Sequence, residues 1–221
     1  MGFQDLSQGG TLIPYGSPVD GTSPAIESVR RGRPPIGEHR VAVLEATRRL
    51  LAELGYEQMT LEAVANEAGL YRRYLSRTWR SKAELVRDAL FEDVVDFVVP
   101  DTGNLADDLR ATVVQHVELI LRPEFLRGLP ALQEAFRVDA DLWDTTLERH
   151  VGPPVAAFAS VLDAAVRRGE ITAHLDPEIV LNTMTGALQL LARLGLMTSD
   201  ELVDHGVRLV LGSMVELPPD R

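Results

Sequence analysis

Five positive charges, Arg72, Arg73, Arg77, Arg80 and Lys82, fall between Glu67 and Glu84 in a stretch that contains no acid. Cations so concentrated suit the phosphates of a nucleic acid, whose neutralisation releases counterions and carries much of the affinity. Tyr71 and Tyr74 stand among them. Other side-chain chemistry is not signalled. The chain has no cysteine, which removes disulfides, thiolate metal sites and cysteine nucleophiles. His39, His116, His150, His174 and His205 lack metal-ligand spacing, and neither a phosphate-binding loop nor a nucleophile elbow occurs. Asp107-Asp108 and Asp139-x-Asp141 read as solvated helix faces. No catalytic residue, metal or cofactor is expected, and an enzyme is the least supported reading.

The net charge of -11 would argue against nucleic acid if it were spread evenly, and it is not. Residues 1–29 hold three acids and no base. Residues 30–90 hold twelve Arg and Lys against eight Asp and Glu, whereas residues 91–221 hold ten against 22. The basic segment is a local feature of an acidic chain. A hydrophobic share of 45% and a charged share of 25% are ordinary for a soluble protein, and no run approaches the roughly 18 apolar residues of a membrane span. The first thirty residues lack the basic start and apolar run of an export signal, and Leu6 stands where a myristoylation signal needs Ser or Thr. The cytoplasm is the expected compartment.

The elements that must position the basic segment read as helices. Apolar residues recur at three- and four-residue steps from Gly37 onward, and strand-like alternation is absent. The expected fold is all-α with about nine helices. Residues 1–29, rich in Gly, Ser and Pro, read as a disordered extension. Arg30, Arg31, Gly32, Arg33, Pro34 and Pro35 then form a basic arm whose Arg31 and Arg33 could reach DNA. A first helix carries Val43, Leu44, Leu50, Leu51 and Leu54 and ends at a Gly55 cap. Ser81 and Glu84 form a capping box that opens a long helix reaching about residue 99, before Pro100. Helices follow over 105–121, 123–136 and 139–168, the last bent at Pro153 and Pro154. Asp176 with Pro177 opens one to about Leu194, and Thr198 with Glu201 caps the final one, to Met214.

If the second helix starts at Leu61 after Thr60, then Ala65, Gly69 and Leu75 take the spacing of a helix-turn-helix between residues 60 and 79. Ala65 lets the two helices cross closely, Gly69 supplies a positive φ in the turn, and Leu75 and Trp79 close the small core. The face left outward is Tyr71, Arg72, Arg73, Tyr74, Ser76 and Arg77. Phosphate contacts would seat such a helix in the major groove, and base-edge contacts would read sequence.

With these residues in place, the chain resembles a TetR-type transcriptional regulator. The likeness is carried by RGRPP from Arg31, LLAELGYE from Leu50, TLEAVANEAGL from Thr60 and WRSKAELV from Trp79. It continues more loosely through Val166–Ile171 and LDPE from Leu175. It implies a DNA-binding domain at 30–84 and a regulatory domain at 85–221. It also implies that Thr60 caps a motif helix and touches phosphate, that residues 71–77 face the groove, and that Lys82 grips phosphate. The recognition helix departs from the family habit of Ser-x-x-Thr-Leu-Tyr: here it reads Tyr71-Arg72-Arg73-Tyr74-Leu75-Ser76. The implied function is a regulator, a repressor by expectation, that binds a palindromic double-stranded operator as a homodimer and is released by a small-molecule effector. The alternative is a helix-turn-helix protein that acts through protein partners. In similar regulators the middle helices enclose the effector, which nominates Phe91, His116, Leu119, Phe125, Phe136, Trp143 and Phe158, with Phe97 beside them. Surplus apolar residues on the last two helices, Leu188, Leu191, Leu194, Leu202 and Leu209, nominate the dimer face.

Overall fold

Local signals and burial agree on where most helices begin. The computed structural model describes residues 38–92, 98–172 and 176–213. The described helices are α1 (Glu38–Gln58), α2 (Leu61–Glu67), α3 (Arg72–Thr78), α4 (Lys82–Phe91), α5 (Leu105–Ile120), α6 (Pro123–Val138), α7 (Ala140–Thr146), α8 (Gly152–Arg168), α9 (Pro177–Arg193) and α10 (Ser199–Ser213). A π-helical turn, Leu147–Val151, joins α7 to α8. Counting that continuous run once, the described residues form the expected nine helical rods and no strand.

Side-chain caps set several starts. Thr60 accepts from Ala63 N at 3.0 Å, Asn104 from Ala106 N at 3.0 Å, and Asp176 from Glu178 N at 2.8 Å. Each satisfies a helix N–H that has no intrahelical partner. The Ser81 box is shifted by one residue: Ser81 Oγ accepts from Glu84 N at 3.1 Å, but the Glu84 carboxylate accepts from Arg80 N instead of Ser81 N. The first helix does end at Gly55, whose φ 77, ψ 171 breaks the helical geometry within α1, and one further helical turn delivers Met59 to the core. Two other expectations need correction. The helix expected to reach residue 99 is described only to Phe91. Residues 93–97, Phe97 among them, lie outside the described residues, and Val98 and Val99 are not helical; Pro100 disfavours the α conformation at Val99. Before Pro153 and Pro154 the ladder widens: Gly152 N bonds to Leu147 O, five residues back. The two prolines bring no N–H to the carbonyls of Arg149 and His150.

Two apolar clusters organise the packing. The first unites α1 to α4 with α6 and α7, through Leu51, Val64, Leu75, Trp79, Leu85, Leu90, Phe125, Leu132 and Leu142. The second unites α5, α8, α9 and α10, through Val113, Val117, Phe158, Leu162, Met184, Leu188 and Leu202. Gly206 lets α10 lie hard against α5 and α9, since a Cβ there would meet Val113 Cγ1 at 2.8 Å. The helices that carry the basic segment thus rest on a core that continues into α6 and α7.

Candidate nucleic-acid interface

The helix-turn-helix is built from its turn outward. Leu70 N bonds to Ala65 O at 2.8 Å and Gly69 N to Asn66 O at 3.1 Å. This pair of bonds caps the C-terminus of α2 and requires a left-handed residue, which Gly69 provides at φ 66. Ala65 and Leu75 are fully buried between the two helices, and Trp79 closes the end of α3. These four positions lie where the spacing placed them.

The outward face of α3 is cationic. Tyr71, Arg72, Arg73, Ser76 and Arg77 are all exposed, Tyr71 at 75%. Arg73 lies over the Tyr71 ring, 5.1 Å from its centroid, and Arg72 approaches Glu62 of α2 at 3.8 Å. Tyr71 gives α3 no side-chain cap, and its carbonyl accepts from Tyr74 N at 2.8 Å. Ser76 Oγ donates to Arg72 O at 3.3 Å within the helix. Thr60, exposed, heads α2 on the same motif.

Two candidates sit differently from the sequence expectation. Tyr74 is half-buried against the first core and makes an edge contact with His39, ring centroids 5.7 Å apart. Its place on the helix turns it toward α1, because Leu75 beside it must point to the core. Lys82 donates to the Tyr56 carbonyl and lies over the Tyr56 ring, 4.2 Å from the centroid. Burial lowers its ammonium pKa from the ordinary value. Both interactions hold Lys82 on the end of α1. Arg31 and Arg33 lie outside the described residues. Thr78, not nominated, is exposed on α3 and donates to Tyr74 O at 3.0 Å.

A buried polar cluster that sequence reasoning missed lies behind the motif. Asp88 Oδ2 accepts from Trp79 Nε1 at 2.8 Å and from Arg40 Nη2 at 2.7 Å. Asp88 Oδ1 accepts from Arg87 Nε at 2.8 Å and Nη2 at 2.6 Å. Burial would raise the Asp88 carboxyl, but the Arg87 charge and the bonds from Arg40, Arg87 and Trp79 hold it below the usual range. The only sequence signal was an acid beside an arginine inside the apolar run 83–90.

The nominated effector residues are divided between the two cores. Phe125 belongs to the first cluster, with Leu119, Phe91 and Phe136 packed around it, while Phe158 is buried in the second. Phe91 contacts Phe125 edge-on at 5.8 Å and stacks with His150 at 5.8 Å; Phe136 and Trp143 meet at 5.3 Å. A small surface depression is lined by Ile120, Phe125, Leu126, Leu129, Pro130, Gln189 and Arg193. His116 is intermediate in exposure as a whole residue, but its Nε2 is shut off from solvent and has no partner among the described residues. Burial pushes its imidazole down to about 4 from 6.5. The fold therefore excludes a proton that the unfolded chain accepts. Stability is full above pH 6.5 and falls as pH drops toward 4, by on the order of 2 kcal/mol given the partial exposure. Urea melts at about pH 7.5 and about pH 5 measure the difference, and His116→Phe should flatten it.

The dimer nominees divide as well. Leu188 and Leu202 are fully buried within the chain, where Leu188 packs against Gly206, so they are core and not surface. Leu191 and Leu209 are half-buried on that core, and Leu194 is 59% exposed. The outward stripe of α9 is Ile179, Thr183, Gly186 and Leu190, continued just past its end by the nominated Leu194.

This fold and this basic, turn-anchored helix define a helix-turn-helix DNA-binding protein. Residues 43–89 match the bacterial regulatory proteins of the tetR family, and residues 99–210 match the tetracyclin repressor-like C-terminal domain. The uncharacterized HTH-type transcriptional regulator Rv1556 from Mycobacterium tuberculosis is 34% identical over 157 residues, 70% of this chain and 76% of that one. The DNA-binding transcriptional repressor TetR of Mycobacteroides abscessus is 32% identical over 154 residues, 65% of this chain and 77% of that one. The crystal structure of the TetR family transcription regulator SCO0332 is similar with a TM-score of 0.56 at 27% identity, over 79% of this chain and 98% of that chain. The chain belongs to the TetR family of DNA-binding transcriptional regulators and is not an enzyme.

Proposed function

We propose that the protein is a cytoplasmic repressor that binds a palindromic operator as a homodimer and leaves it when a small molecule binds the regulatory helices. The observation that carries this reading is the exposed face of α3, where Tyr71, Arg72, Arg73 and Arg77 project from a scaffold anchored by Ala65, Gly69 and Leu75. The similarity to a protein named as a transcriptional repressor supports the direction of regulation. Residues 30–84 act as the DNA-binding domain, with Arg31, Arg33 and Thr60 supplying further phosphate contacts, and residues 85–221 act as the regulatory domain. A mobility-shift assay on a duplex selected from a random pool, repeated on the DNA flanking the protein's own gene, tests the reading. Failure to select any duplex favours the rival, a helix-turn-helix protein that works through protein partners.

Dimerisation follows from the same reading, because two recognition helices about 34 Å apart can enter successive major grooves. The stripe Ile179 and Leu190 on α9, continued by Leu194 and with open space over Gly186, supports pairing through that helix. Leu190→Glu with Leu194→Glu is expected to convert the dimer to a monomer in light scattering while helicity is retained. A dimer that persists at micromolar concentration would remove α9 from the interface.

A further inference from the structure

The recognition helix is held to the rest of the chain by directed polar bonds as well as by apolar packing. Trp79, the residue that ends α3, gives its indole N–H to Asp88 Oδ2 at 2.8 Å. Arg87, 3% exposed, forks Nε and Nη2 onto Asp88 Oδ1 and reaches with Nη1 to Thr145 Oγ1 at 2.9 Å, in the last turn of α7. Two residues later the chain enters the π-helical turn, where His150 stacks with Phe91. The guanidinium is a rigid plate whose donors cannot be re-aimed one at a time. Any displacement of Thr145 that Arg87 follows must therefore disturb its bonds to Asp88. Both oxygens of that carboxylate are occupied, Oδ2 by Trp79 and Arg40, so the disturbance passes to the end of α3. Apolar contacts tolerate small slides, whereas hydrogen bonds weaken steeply with angle.

We propose that Thr145, Arg87, Asp88 and Trp79 form a polar relay through which α7 and the π-helical turn set the orientation of the recognition helix. This rests on the reading of the chain as a DNA-binding regulator and names a route by which α7 reaches the reading surface through Arg87 and Asp88 of α4. Thr145 is a positioning residue in this scheme. The ring pair His150 and Phe91 places the π-helical turn against the same α4 segment that carries Arg87 and Asp88.

The test uses the full chain in a Trp143→Phe background, which leaves Trp79 as the sole tryptophan. Thr145→Val removes the hydroxyl that meets Arg87. It should shift the emission maximum of Trp79 and weaken binding to a duplex selected by the wild-type protein by roughly 3- to 10-fold, the worth of one hydrogen bond. Thr145→Ser should restore both. Thr146→Val is the control: its buried hydroxyl donates to Leu142 O at 2.6 Å and not to Arg87, so it should lower stability and leave Trp79 emission and DNA affinity unchanged. The relay is overturned if Thr145→Val leaves emission and affinity at wild-type values, or if Thr146→Val moves both equally. If the wild-type chain selects no duplex, the functional reading fails on its own, and the Trp79 emission still decides the relay.

Discussion

Asp88→Ala is expected to destabilise the protein by about 3–5 kcal/mol, read as a lowered urea midpoint with helical content intact at zero denaturant. The magnitude comes from what is left behind. Arg87 is 3% exposed and Arg40 half-buried, so losing the carboxylate leaves the Arg87 guanidinium, away from water, with only the more distant Glu84 carboxylate at 3.8 Å as counter-charge, and orphans the Trp79 N–H. The pair is not strongly stabilising against a hydrophobic alternative of the same shape; its removal is costly because only half of it goes. Asp88→Asn separates the two contributions: the amide can still accept from Trp79, but it supplies no charge to Arg87. The pH dependence has a defined sign. The folded carboxyl is held below its ordinary value of 3.8, so its contribution is present above that value and is lost as pH falls through the folded pKa. A midpoint within error of wild type for Asp88→Ala would mean that this cluster contributes nothing to stability.

Arg72→Ala with Arg73→Ala is expected to weaken binding to the selected duplex by about 100-fold, close to 2.7 kcal/mol. The dependence of log affinity on log salt should become shallower by roughly 1.8 for each recognition helix, as two phosphate contacts are removed. Both side chains are exposed, and the 3.8 Å approach of Arg72 to Glu62 is a surface pair of small worth. The loss should therefore appear in affinity and not in the unfolding midpoint. The two arginines differ in setting. Arg73 is held over the Tyr71 ring and loses less side-chain freedom on docking, so Tyr71→Ala should reproduce part of the effect without changing any charge. A salt titration in which the double variant tracks the wild type would take the reading surface away from the start of α3.

How much was legible follows a physical division. Ala65, Gly69 and Leu75 could be found by spacing because helix crossing and a left-handed turn each impose a residue type at a fixed offset. Ser81, Asp176 and Thr198 marked helix starts for the same reason: a cap acts within three or four residues. Tyr74 could not be placed, since periodicity puts it at the edge of a face and only the position of His39 on α1 turns it inward. Lys82 had a role by resemblance, yet its ammonium goes to Tyr56, 26 residues earlier. Leu188 and Leu202 looked like surplus apolar surface until α5 and Gly206 were seen to cover Leu188 and the second core to enclose both.

The basic, acid-free segment between Glu67 and Glu84, the turn at Gly69 and the helical periodicity were determined by the sequence alone, because propensity, capping and charge are local properties. They suffice to place the chain among helix-turn-helix proteins. What only the tertiary structure decided is the company those residues keep: Asp88 with Arg40 and Trp79, Arg87 with Thr145, and the outward stripe of α9. Those partners lie up to 58 residues apart, and no local pattern encodes which distant side chain will be buried beside a charge. That is settled when the two apolar clusters close and leave each buried polar group to find a partner or go without.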